Sequence, residues 1–599
     1  MNQATDRGSR LANIVVDLFI LLNLAFAVVA IVASCISLEI YLQYVGNRST
    51  LGESAMLSSD FHGQLIWRLR LVATLAACVG VTAWVFRRRL SRRLLLVTID
   101  AGEFSRQTLG LLRRWCRGHR ATLGWLLVIV FLAVCLRGYN VTRDYRSDEL
   151  NGVKRFVMRS WPVAISFYKD PQNHLLETVL GKTSVMVFGH SLLAVRLPVL
   201  VAGTALVVLV FALTRVLFRR DDAALLAAGL TAGHGFLIEY SVNARGYMLQ
   251  AALVVTLLLL SQYLRKRNAR SGWVFWAALM ALGFYAVPTM LYPATVLVGW
   301  LLLEAARGQT PRGDSRRRQA VRIISATGLA AVFTLYLYLP VIAASGPENI
   351  VANRWVTPLA RGEWWDRLVQ MLGKMGAAAS LGVPGWVMLL LGAGFLTFLF
   401  SARTRYGKSM LMWLIVLVLV APTMLFCQRL APFVRTWLWL LPIALVFASG
   451  GLGVWLAWMQ RHRLATARYA LVMVVVASVT GQVLASQCVW WNHEGGVLFQ
   501  SEAIAAHLTA SRRTGEPVIS KFPTTWILIW PMKAADPAFS PATVEDVDDQ
   551  TTTAWIVVND FDKQTLDEFL LQLAAQRPGW IDVTCTARFD HASVYRVTW

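Results

Sequence analysis

The residues best suited to chemistry lie in one polar stretch, between Arg143 and Arg196, that separates two long apolar segments. The stretch opens with two adjacent acids, Asp148 and Glu149, shortly after an apolar run that ends near Leu136. This spacing places both carboxylates at the boundary between membrane and water, where ionisable groups are costly and usually functional. We therefore expect a reaction site in this stretch, held in place by the apolar segments around it.

Other polar residues follow at the ends of apolar segments. Asp170 and His174 lie later in the same stretch, and Arg245 with Tyr247 follows two further apolar segments. Arg435 precedes an apolar segment near the end of the hydrophobic region. These residues supply a candidate base, cations and hydrogen-bonding groups, which can transfer protons and stabilise developing negative charge.

The composition is that of a polytopic membrane protein. Of the 599 residues, 56% are hydrophobic and only 15% are charged, and the mean hydropathy is +0.52. No soluble class of protein has such values. The formal net charge of +24 comes from short basic clusters in alternate loops, as expected for the cytoplasmic loops of a membrane protein. Because these clusters form no single basic face, we expect no nucleic-acid partner.

About thirteen apolar windows reach the length of roughly 20 residues that a helix needs to cross the hydrocarbon core. They lie near 11–37, 66–86, 121–138, 192–218, 222–241, 246–264, 272–287, 289–305, 321–344, 384–402, 409–427, 434–458 and 469–487. Counting from a cytoplasmic N-terminus places every basic cluster inside and the C-terminus outside. The predicted fold is a polytopic all-α membrane domain with a small C-terminal α/β soluble domain.

The membrane region divides into two parts. Residues 1–120 hold two spans and an arginine-rich segment, which is either an amphipathic helix along the inner leaflet or a plain cytoplasmic linker. Residues 121–487 form the main membrane domain, whose first external loop is 138–190. Two stretches of this loop, near 150–165 and 175–190, have apolar residues at helical spacing. We expect both to be interfacial helices.

Residues 488–599 differ in composition from the rest of the chain, because acidic residues outnumber basic ones and turn residues are frequent. We expect an external α/β domain that covers the membrane site. Its predicted helices lie near 500–511 and 563–575, and its predicted strands near 517–519, 526–530, 554–558 and 594–599. Cys488 and Cys585 both fall in this part, where they are either free thiols or, in an oxidising compartment, a disulfide.

Taken in order, these motifs resemble the first external loop of the polyprenyl-phosphate-sugar-dependent GT-C glycosyltransferase superfamily, which contains the protein O-mannosyltransferases and the lipid A aminoarabinose transferases. The matching elements are Asp148-Glu149, Asp170 to Leu175, Phe188-Gly189, Ala194 to Pro198 and Ala244 to Tyr247. The chain departs from the family pattern at two places, with Leu175-Leu176 in place of paired prolines and Gly246 in place of a proline.

The resemblance implies a GT-C-like catalytic membrane domain and an integral-membrane inverting glycosyltransferase. Such an enzyme moves a monosaccharide from a polyprenyl-phosphate donor to an external lipid, glycan or protein acceptor. Residue usage favours a bacterial inner membrane, with a eukaryotic secretory membrane as the alternative. The span count places the active site on the external side, which is the periplasm in a bacterium. The alternative from another class is a transporter or flippase of lipid-linked saccharides, but such proteins usually show internal repeats and little soluble mass.

The resemblance also implies roles for the acids of the loop. Asp148 matches the acid that the family uses as base, and a carboxylate near a low-dielectric boundary is expected to have a raised pKa. Capping a helix is the other role open to an aspartate here. Glu149 is the second catalytic candidate. Glu149, Asp170 and His174 are candidates to orient the acceptor, to tune Asp148 or to bind a divalent cation, although no ligand spacing requires a metal.

Arg245 and Arg435 are the candidates for binding the donor phosphate, because a guanidinium at membrane depth needs an anion or carbonyl groups as partner. Tyr247 is a candidate to flank the sugar, although aromatic residues also occupy membrane interfaces without any other function. Arg196 is expected to snorkel or to pair with a loop acid, and not to contact substrate.

The basic loops predict the topology of the chain. A reporter fused after Trp599 and one inserted in the loop Arg312–Arg318 should report opposite sides of the membrane, because arginine-rich short loops stay in the cytoplasm. A phosphatase that is active only outside and a fluorescent protein that folds only inside measure the two positions. Signals from the same side would contradict both the span count and the external site.

Overall fold

A computed structural model of the chain describes residues 2–40, 59–168, 171–267, 269–311, 313–351, 357–401, 405–462, 464–548, 550–576, 579 and 581–599. Among the candidate site residues, Asp170 lies outside the described residues. The described part is predominantly helical up to Ser486 and contains a small sheet after it.

Two long helices that pack against each other begin the chain: α1 (Asn2–Ala33) and α2 (Ser59–Val85). The arginine-rich segment that follows is one continuous helix, α3 (Arg87–Gly118), so the helical alternative is the correct one. Its apolar side packs on the protein, where the Phe104 ring lies 5.1 Å from the Tyr263 ring. Its arginines are all exposed. The position of α3 along the inner leaflet stays a prediction.

The main membrane domain is a succession of helices from Arg120 to Ser486. The first half consists of α4 (Arg120–Asn140), α5 (Ser147–Gly152), α6 (Trp161–Ser166), α7 (Leu175–Phe188), α8 (Leu192–Phe218), α9 (Asp221–Gly233), α10 (Gly235–Ser241), α11 (Tyr247–Leu264) and α12 (Arg270–Ala286). The second half consists of α13 (Leu291–Ala306), α14 (Arg316–Ala344), α15 (Glu348–Val351), α16 (Arg361–Ser380), α17 (Gly385–Ser401), α18 (Arg405–Gln428), α19 (Leu440–Arg461) and α20 (Ala465–Ser486).

Within the described residues, ten helices are long and apolar enough to cross a membrane, and two bent helix pairs raise the number to twelve. Of the thirteen predicted spans, the one near 272–287 is not among these twelve. It corresponds to α12, which has 17 residues and ends at Ala286. Val287 is extended there, and Pro288 has no N–H with which to continue the helix. The bent pairs are α9 with α10, at 61°, and α16 with α17, at 108°. The polytopic helical membrane domain is thus confirmed.

The bent pair of α9 and α10 is the buried centre of the domain. Small residues on α9 let neighbouring helices approach, and a Cβ on Gly229 would overlap the side chain of Val476 on α20. Every residue of α10 is buried. At the bend, the His234 side chain accepts a hydrogen bond from the Phe236 N–H at 3.2 Å, which caps α10. This pair delivers the chain to the turn that contains Arg245.

The external loop is folded into short helices. The stretch near 150–165 consists of α5, a π-helical turn over Val153–Val157, and α6. Its apolar residues Leu150 and Phe156 are buried within the protein, and its place at the membrane interface stays a prediction. The stretch near 175–190 is α7, which confirms the second predicted helix of the loop.

The C-terminal part is the expected small α/β domain. Its strands are β1 (Val518–Ser520), β2 (Thr553–Asn559), β3 (Asp582–Phe589) and β4 (Ala592–Thr598), in the order β1-β2-β4-β3, with β1 parallel to β2 and the other pairs antiparallel. Its helices are α21 (Ser501–Ser511), α22 (Thr524–Ala535) and α23 (Leu566–Gln576). Apolar side chains of α21 and α22 share one core with the sheet, and those of α23 share a second core.

The strand predicted at 526–530 is wrong, because this segment lies inside α22. Its β-branched and aromatic residues favoured a strand. However, Thr524, Ile527, Leu528 and Met532 recur at helical spacing, and all four are buried. Burial of this helical face therefore decides the structure against the local propensity.

Of the two alternatives for Cys488 and Cys585, free thiols are the correct one, because all seven cysteines are free. The sulfur of Cys488 lies beside Gly235 and Gly382 of the membrane domain. Cys585 is exposed on β3 of the C-terminal sheet. The two thiols thus belong to different parts of the structure, although they fall in one segment of the sequence.

The C-terminal domain is seated on the external loop. Leu150 of α5 is part of the apolar core of that domain. The Trp530 indole donates a hydrogen bond to Asn151 Oδ1 at 3.2 Å, and Arg146 donates to the Val489 carbonyl oxygen at 2.8 Å. The helix that contains the acid pair is therefore held by both the membrane domain and the soluble domain.

The closest helix crossing gives a test of the packing. Helices α17 and α19 meet at Gly394 and Gly451, where a Cβ on Gly451 would overlap the Gly394 carbonyl oxygen. Gly451→Ala should lower the free energy of unfolding by about 1–3 kcal/mol, the usual cost of overpacking. The measurement is the midpoint of thermal unfolding in detergent. The matched control is Gly392→Ala on α17, where a Cβ meets nothing within 4 Å. Equal midpoints for the two variants would contradict this crossing.

Candidate functional site

Asp148 is the centre of the external site and lies between two arginines. Its Oδ2 accepts a hydrogen bond from Arg245 Nη1 at 2.9 Å and lies 3.1 Å from Arg435 Nη2. Gln172 Nε2 lies 3.4 Å from the other oxygen of the carboxylate. The Asp148 side chain is 15% exposed, so water screens these ion pairs only weakly. Three candidates from distant parts of the chain thus meet at one carboxylate.

A different element holds each of the three. Asp148 lies in the first turn of α5. Arg245 lies in the turn between α10 and α11, with its guanidinium 5.1 Å from the Tyr247 ring. Arg435 lies in a 3₁₀ turn before α19, with its guanidinium 4.1 Å from the Phe433 ring. The aromatic rings restrict both guanidiniums at one face and leave their N–H edges for anions.

Glu494 joins the site from the segment that opens the C-terminal domain. Its Oε1 accepts hydrogen bonds from Arg435 Nη1 at 3.2 Å and from the Tyr240 hydroxyl at 3.1 Å. It therefore links the soluble domain to α10 and to the second arginine of the site. Sequence analysis assigned no role to Glu494, because a lone acid after a membrane span has no local pattern that distinguishes it.

Glu149 has a separate set of contacts and is fully buried. Its two carboxylate oxygens accept hydrogen bonds from Arg196 Nε and Nη2, each at 2.7 Å. The Ala244 N–H also donates to Oε1, at 2.9 Å. The predicted pairing of Arg196 with a loop acid is confirmed. Because both oxygens are occupied, these contacts favour a positioning role for Glu149 over the catalytic role that the acid pair suggested. Glu149 joins α5 and α8 to the turn that contains Arg245.

His174 is buried near the same arginines. Its ring lies 4.9 Å from the Tyr247 ring, and its Nδ1 lies 3.4 Å from the Ala286 carbonyl oxygen. Its Nε2 has no hydrogen-bond partner among the described residues. Gly246 approaches the same carbonyl so closely that a Cβ there would overlap the oxygen. This contact explains the glycine at a position where the family has proline, since no residue with a Cβ fits.

The electrostatics of the site differ from the expectation. Burial acts to raise the pKa of Asp148, but Arg245 and Arg435 outweigh it, and the pKa is lowered. The expected raised pKa is therefore wrong, because the two neighbouring cations were not visible in the local sequence. Burial, together with the charge of Arg245, holds the pKa of His174 well below its usual value. The imidazole is thus neutral at pH 7 and able to accept or donate a hydrogen bond.

Further buried charges surround the acid pair. Arg143 Nη2 donates to Glu239 Oε1 at 2.9 Å, and Arg146 Nε lies 3.6 Å from the same oxygen. Glu177 is buried, and burial with the charge of Glu149 raises its pKa to about 8, so it is mostly protonated at pH 7. Sequence analysis missed these residues. The signal that could have found them is the cost of any ionisable residue next to a membrane span.

The described residues offer no ready metal site. Within them, no three His, Cys, Asp or Glu side chains are placed so that they could hold a metal ion. Asp170 is the loop acid that the sequence proposed as a partner for such an ion, and it lies outside the described residues. The geometry around Asp148 is that of a carboxylate with guanidinium partners.

Comparisons with known proteins agree with this architecture. A family model described as dolichyl-phosphate-mannose-protein mannosyltransferase matches residues 179–339. Among solved structures, ArnT from Cupriavidus metallidurans in the apo state is similar at a TM-score of 0.51 and 15% identity, over 80% of this chain and 98% of that chain. The chain thus has the fold of this ArnT structure over most of its length. The resemblance found in the sequence is thus confirmed, and the GT-C fold extends well beyond the first external loop.

A second solved structure similar to this chain is the Archaeoglobus fulgidus oligosaccharyltransferase in complex with Zn and sulfate. It has a TM-score of 0.45 at 15% identity, over 69% of this chain and 61% of that chain. No curated protein matches the chain in a comparison of sequences.

The buried pair of Glu149 and Arg196 should be essential for the stability of this protein. Glu149→Gln leaves the Arg196 guanidinium uncompensated, and the loss of one partner of a buried ion pair costs about 3–5 kcal/mol. The control is Glu363→Gln on α16, whose side chain is 52% exposed. We expect a much lower midpoint of thermal unfolding for Glu149→Gln than for this control, and equal midpoints would contradict the positioning role.

The same pair predicts a dependence of stability on pH. Burial acts to raise the pKa of Glu149, but Arg196 outweighs it, so the folded protein has a lowered pKa. The stabilisation is therefore present above the unfolded pKa of about 4.3 and is lost as the pH falls through the folded pKa. Glu149→Gln should show a smaller loss of stability on acidification than the wild-type protein. A parallel decline of both midpoints would show that other acids control the acid unfolding.

Proposed function

We propose that this protein is an integral-membrane inverting glycosyltransferase that moves a monosaccharide from a polyprenyl-phosphate donor to an external lipid, glycan or protein acceptor. The observation that carries the proposal is the carboxylate of Asp148 between Arg245 and Arg435, at 2.9 and 3.1 Å. A base next to two cations is what such a transfer needs. The matching family model, named for a dolichyl-phosphate-mannose enzyme, supports a lipid-phosphate donor.

The charges at Asp148 also fit one additional anion. Arg245 and Arg435 share one carboxylate, that of Asp148, and both guanidiniums are largely buried. A lipid-linked sugar phosphodiester has one negative charge, so its binding would add a second anion to two costly buried cations.

In the proposed reaction, a hydroxyl or amine of the acceptor attacks the anomeric carbon of the donor sugar. The bond from this carbon to the phosphate oxygen breaks, and its electron pair leaves with the polyprenyl phosphate. The acceptor proton passes to Asp148, while Arg245 and Arg435 stabilise the charge that develops on the phosphate. One base without a second carboxylate acting as nucleophile favours inversion at the anomeric carbon.

Donor binding should also make Asp148 a stronger base. While both arginines are paired with its carboxylate, the pKa of Asp148 is lowered, and a carboxylate of low pKa is a weak proton acceptor. A donor phosphate that attracts Arg245 and Arg435 weakens these pairs and raises the pKa of Asp148 towards pH 7. The base would therefore become effective when the donor is present, which limits proton transfer without substrate.

The other candidates have supporting roles in this proposal. His174, through its unpaired Nε2, and Asp170 contact the sugar or the acceptor, while Tyr247 braces Arg245. Glu149 holds the frame of the site. We place the protein in a bacterial inner membrane, with the site on the periplasmic side, because the basic loops lie at the opposite ends of the spans.

Asp148→Asn should abolish transfer and spare donor binding. The amide keeps the shape of the carboxylate but accepts no proton, so the chemical step should fall by about 10²–10⁴-fold. Donor affinity should be equal or higher, because the phosphate no longer competes with a carboxylate for the arginines. The measurement is single-turnover sugar release from purified donor in detergent, together with a donor titration. The control is Asp144→Asn, an exposed acid of the same loop, which should behave as wild type.

Arg245→Ala should weaken donor binding in the same experiment, whereas Asp148→Asn should spare it. Loss of a charge-assisted hydrogen bond to the phosphate, worth about 1.5–3 kcal/mol, should weaken donor binding by about tenfold or more.

Wild-type turnover in Asp148→Asn would refute the base assignment. Movement of the donor across vesicles without release of polyprenyl phosphate would identify a transporter or flippase instead.

A further inference from the structure

A partly exposed aromatic cluster lies on the C-terminal domain, outside the groups that the proposed reaction uses. It consists of Trp491, His493, Phe499, Phe561 and His591, and the centroids of neighbouring rings lie 4.1 to 6.1 Å apart. Trp491 is 43% exposed, and the His493 side chain is 58% exposed. Grouped and exposed aromatic rings on a soluble domain indicate a binding surface. We call these five residues the Trp491 cluster.

Three segments that are distant in sequence build the Trp491 cluster. The connection after α20 supplies Trp491 and Phe499, the turn after β2 supplies Phe561, and the hairpin between β3 and β4 supplies His591. The Asp560 N–H donates to the His591 carbonyl oxygen at 2.9 Å, which ties the turn to the hairpin. Phe499 is only 9% exposed and forms the floor of the cluster. The Trp491 cluster therefore exists only in the folded domain, because distant segments supply its rings.

Carboxylates surround the rings. Asp562 Oδ1 lies 3.8 Å from His493 Nδ1, and Asp590 Oδ2 accepts a hydrogen bond from Gln500 Nε2 at 3.2 Å. Asp560 is the third acid, in the turn that supplies the Phe561 ring. The surface thus combines aromatic faces with a rim of hydrogen-bond acceptors and negative charge.

We propose that the Trp491 cluster binds the carbohydrate part of the acceptor, an inference that rests on the proposed glycosyl transfer. The C–H groups on one face of a sugar ring have positive partial charge and pack on the negative face of an aromatic ring. The hydroxyl groups of the same sugar donate hydrogen bonds to carboxylates, as at the rim of this surface. Lipid head groups are the other usual contact of aromatic residues near a membrane. However, Asp560 and Asp590 are exposed on this surface, while Asp562 is 16% exposed, and an anionic bilayer would repel the two exposed carboxylates.

Glu494 connects the Trp491 cluster to the reaction site. It follows His493 directly in the sequence, and its carboxylate accepts hydrogen bonds from Arg435 and from Tyr240. An acceptor saccharide on the cluster would therefore lie next to a residue that is paired with an arginine of the donor site. The proposed direction of entry for the acceptor is from the side of the C-terminal domain.

The test is a titration of the full-length protein in detergent with cellohexaose, maltohexaose and mannohexaose, without donor. We expect saturable binding of at least one of them at about millimolar concentration. Trp491→Ala should weaken this binding by about tenfold, because an exposed tryptophan dominates such contacts. His591→Ala provides a second variant from another segment of the cluster. The control is Phe522→Ala, which removes a 65% exposed ring elsewhere on the same domain and should leave the affinity unchanged.

Each outcome either supports or overturns the inference. Binding by none of the three hexasaccharides, or equal affinity of Trp491→Ala and Phe522→Ala, would overturn it. Slower hydrogen exchange of residues 489–499 in nanodiscs with phosphatidylglycerol than in nanodiscs with neutral lipid would assign the cluster to head groups instead. Hydrolysis of the donor by water should be unchanged in Trp491→Ala. Failure of the wild type to cleave donor, with intact saccharide binding, would refute only the proposed transfer.

Discussion

The pairing of one largely buried carboxylate with two guanidiniums is the interaction on which the rest of the site depends. Asp148, Arg245 and Arg435 lie on three separate elements, and none of these charges would be stable at this depth alone. The fold must therefore bring Arg245 in the turn after α10 and Arg435 in the turn before α19 within 3.1 Å of the Asp148 carboxylate on α5. Because both arginines lower the pKa of Asp148, the basicity of this carboxylate depends on how strongly they pair with it.

The neighbouring acids Asp148 and Glu149 illustrate how environment divides two roles. Glu149 is saturated by the two-pronged contact with Arg196 and by the Ala244 N–H, so it has no oxygen left for a substrate. Asp148 remains 15% exposed and shares its Oδ2 between two cations that a phosphate can attract. Adjacent residues of the same chemical type thus become a structural frame and a candidate base, because helical geometry points them at different partners.

The soluble domain is part of this arrangement. Glu494 contributes a carboxylate to Arg435, and the core of the domain includes Leu150 of α5, two residues after Asp148. The position of the candidate base is therefore coupled to the docking of residues that are more than 300 positions later in the chain. The Trp491 cluster adjoins Glu494 in the sequence, on the side from which we propose that the acceptor enters.

The sequence by itself determined the membrane class and the order of the helices, because apolar length is a local property. It predicted most elements of the C-terminal domain for the same reason. Its resemblance to a known family proposed Asp148, Arg245 and Arg435 as site residues. Only the tertiary structure decided that 526–530 is helical, that Cys488 and Cys585 stay apart, and that the pKa of Asp148 is lowered. These outcomes depend on burial and on charges brought close by distant segments, and such contacts leave no pattern in the residues nearby.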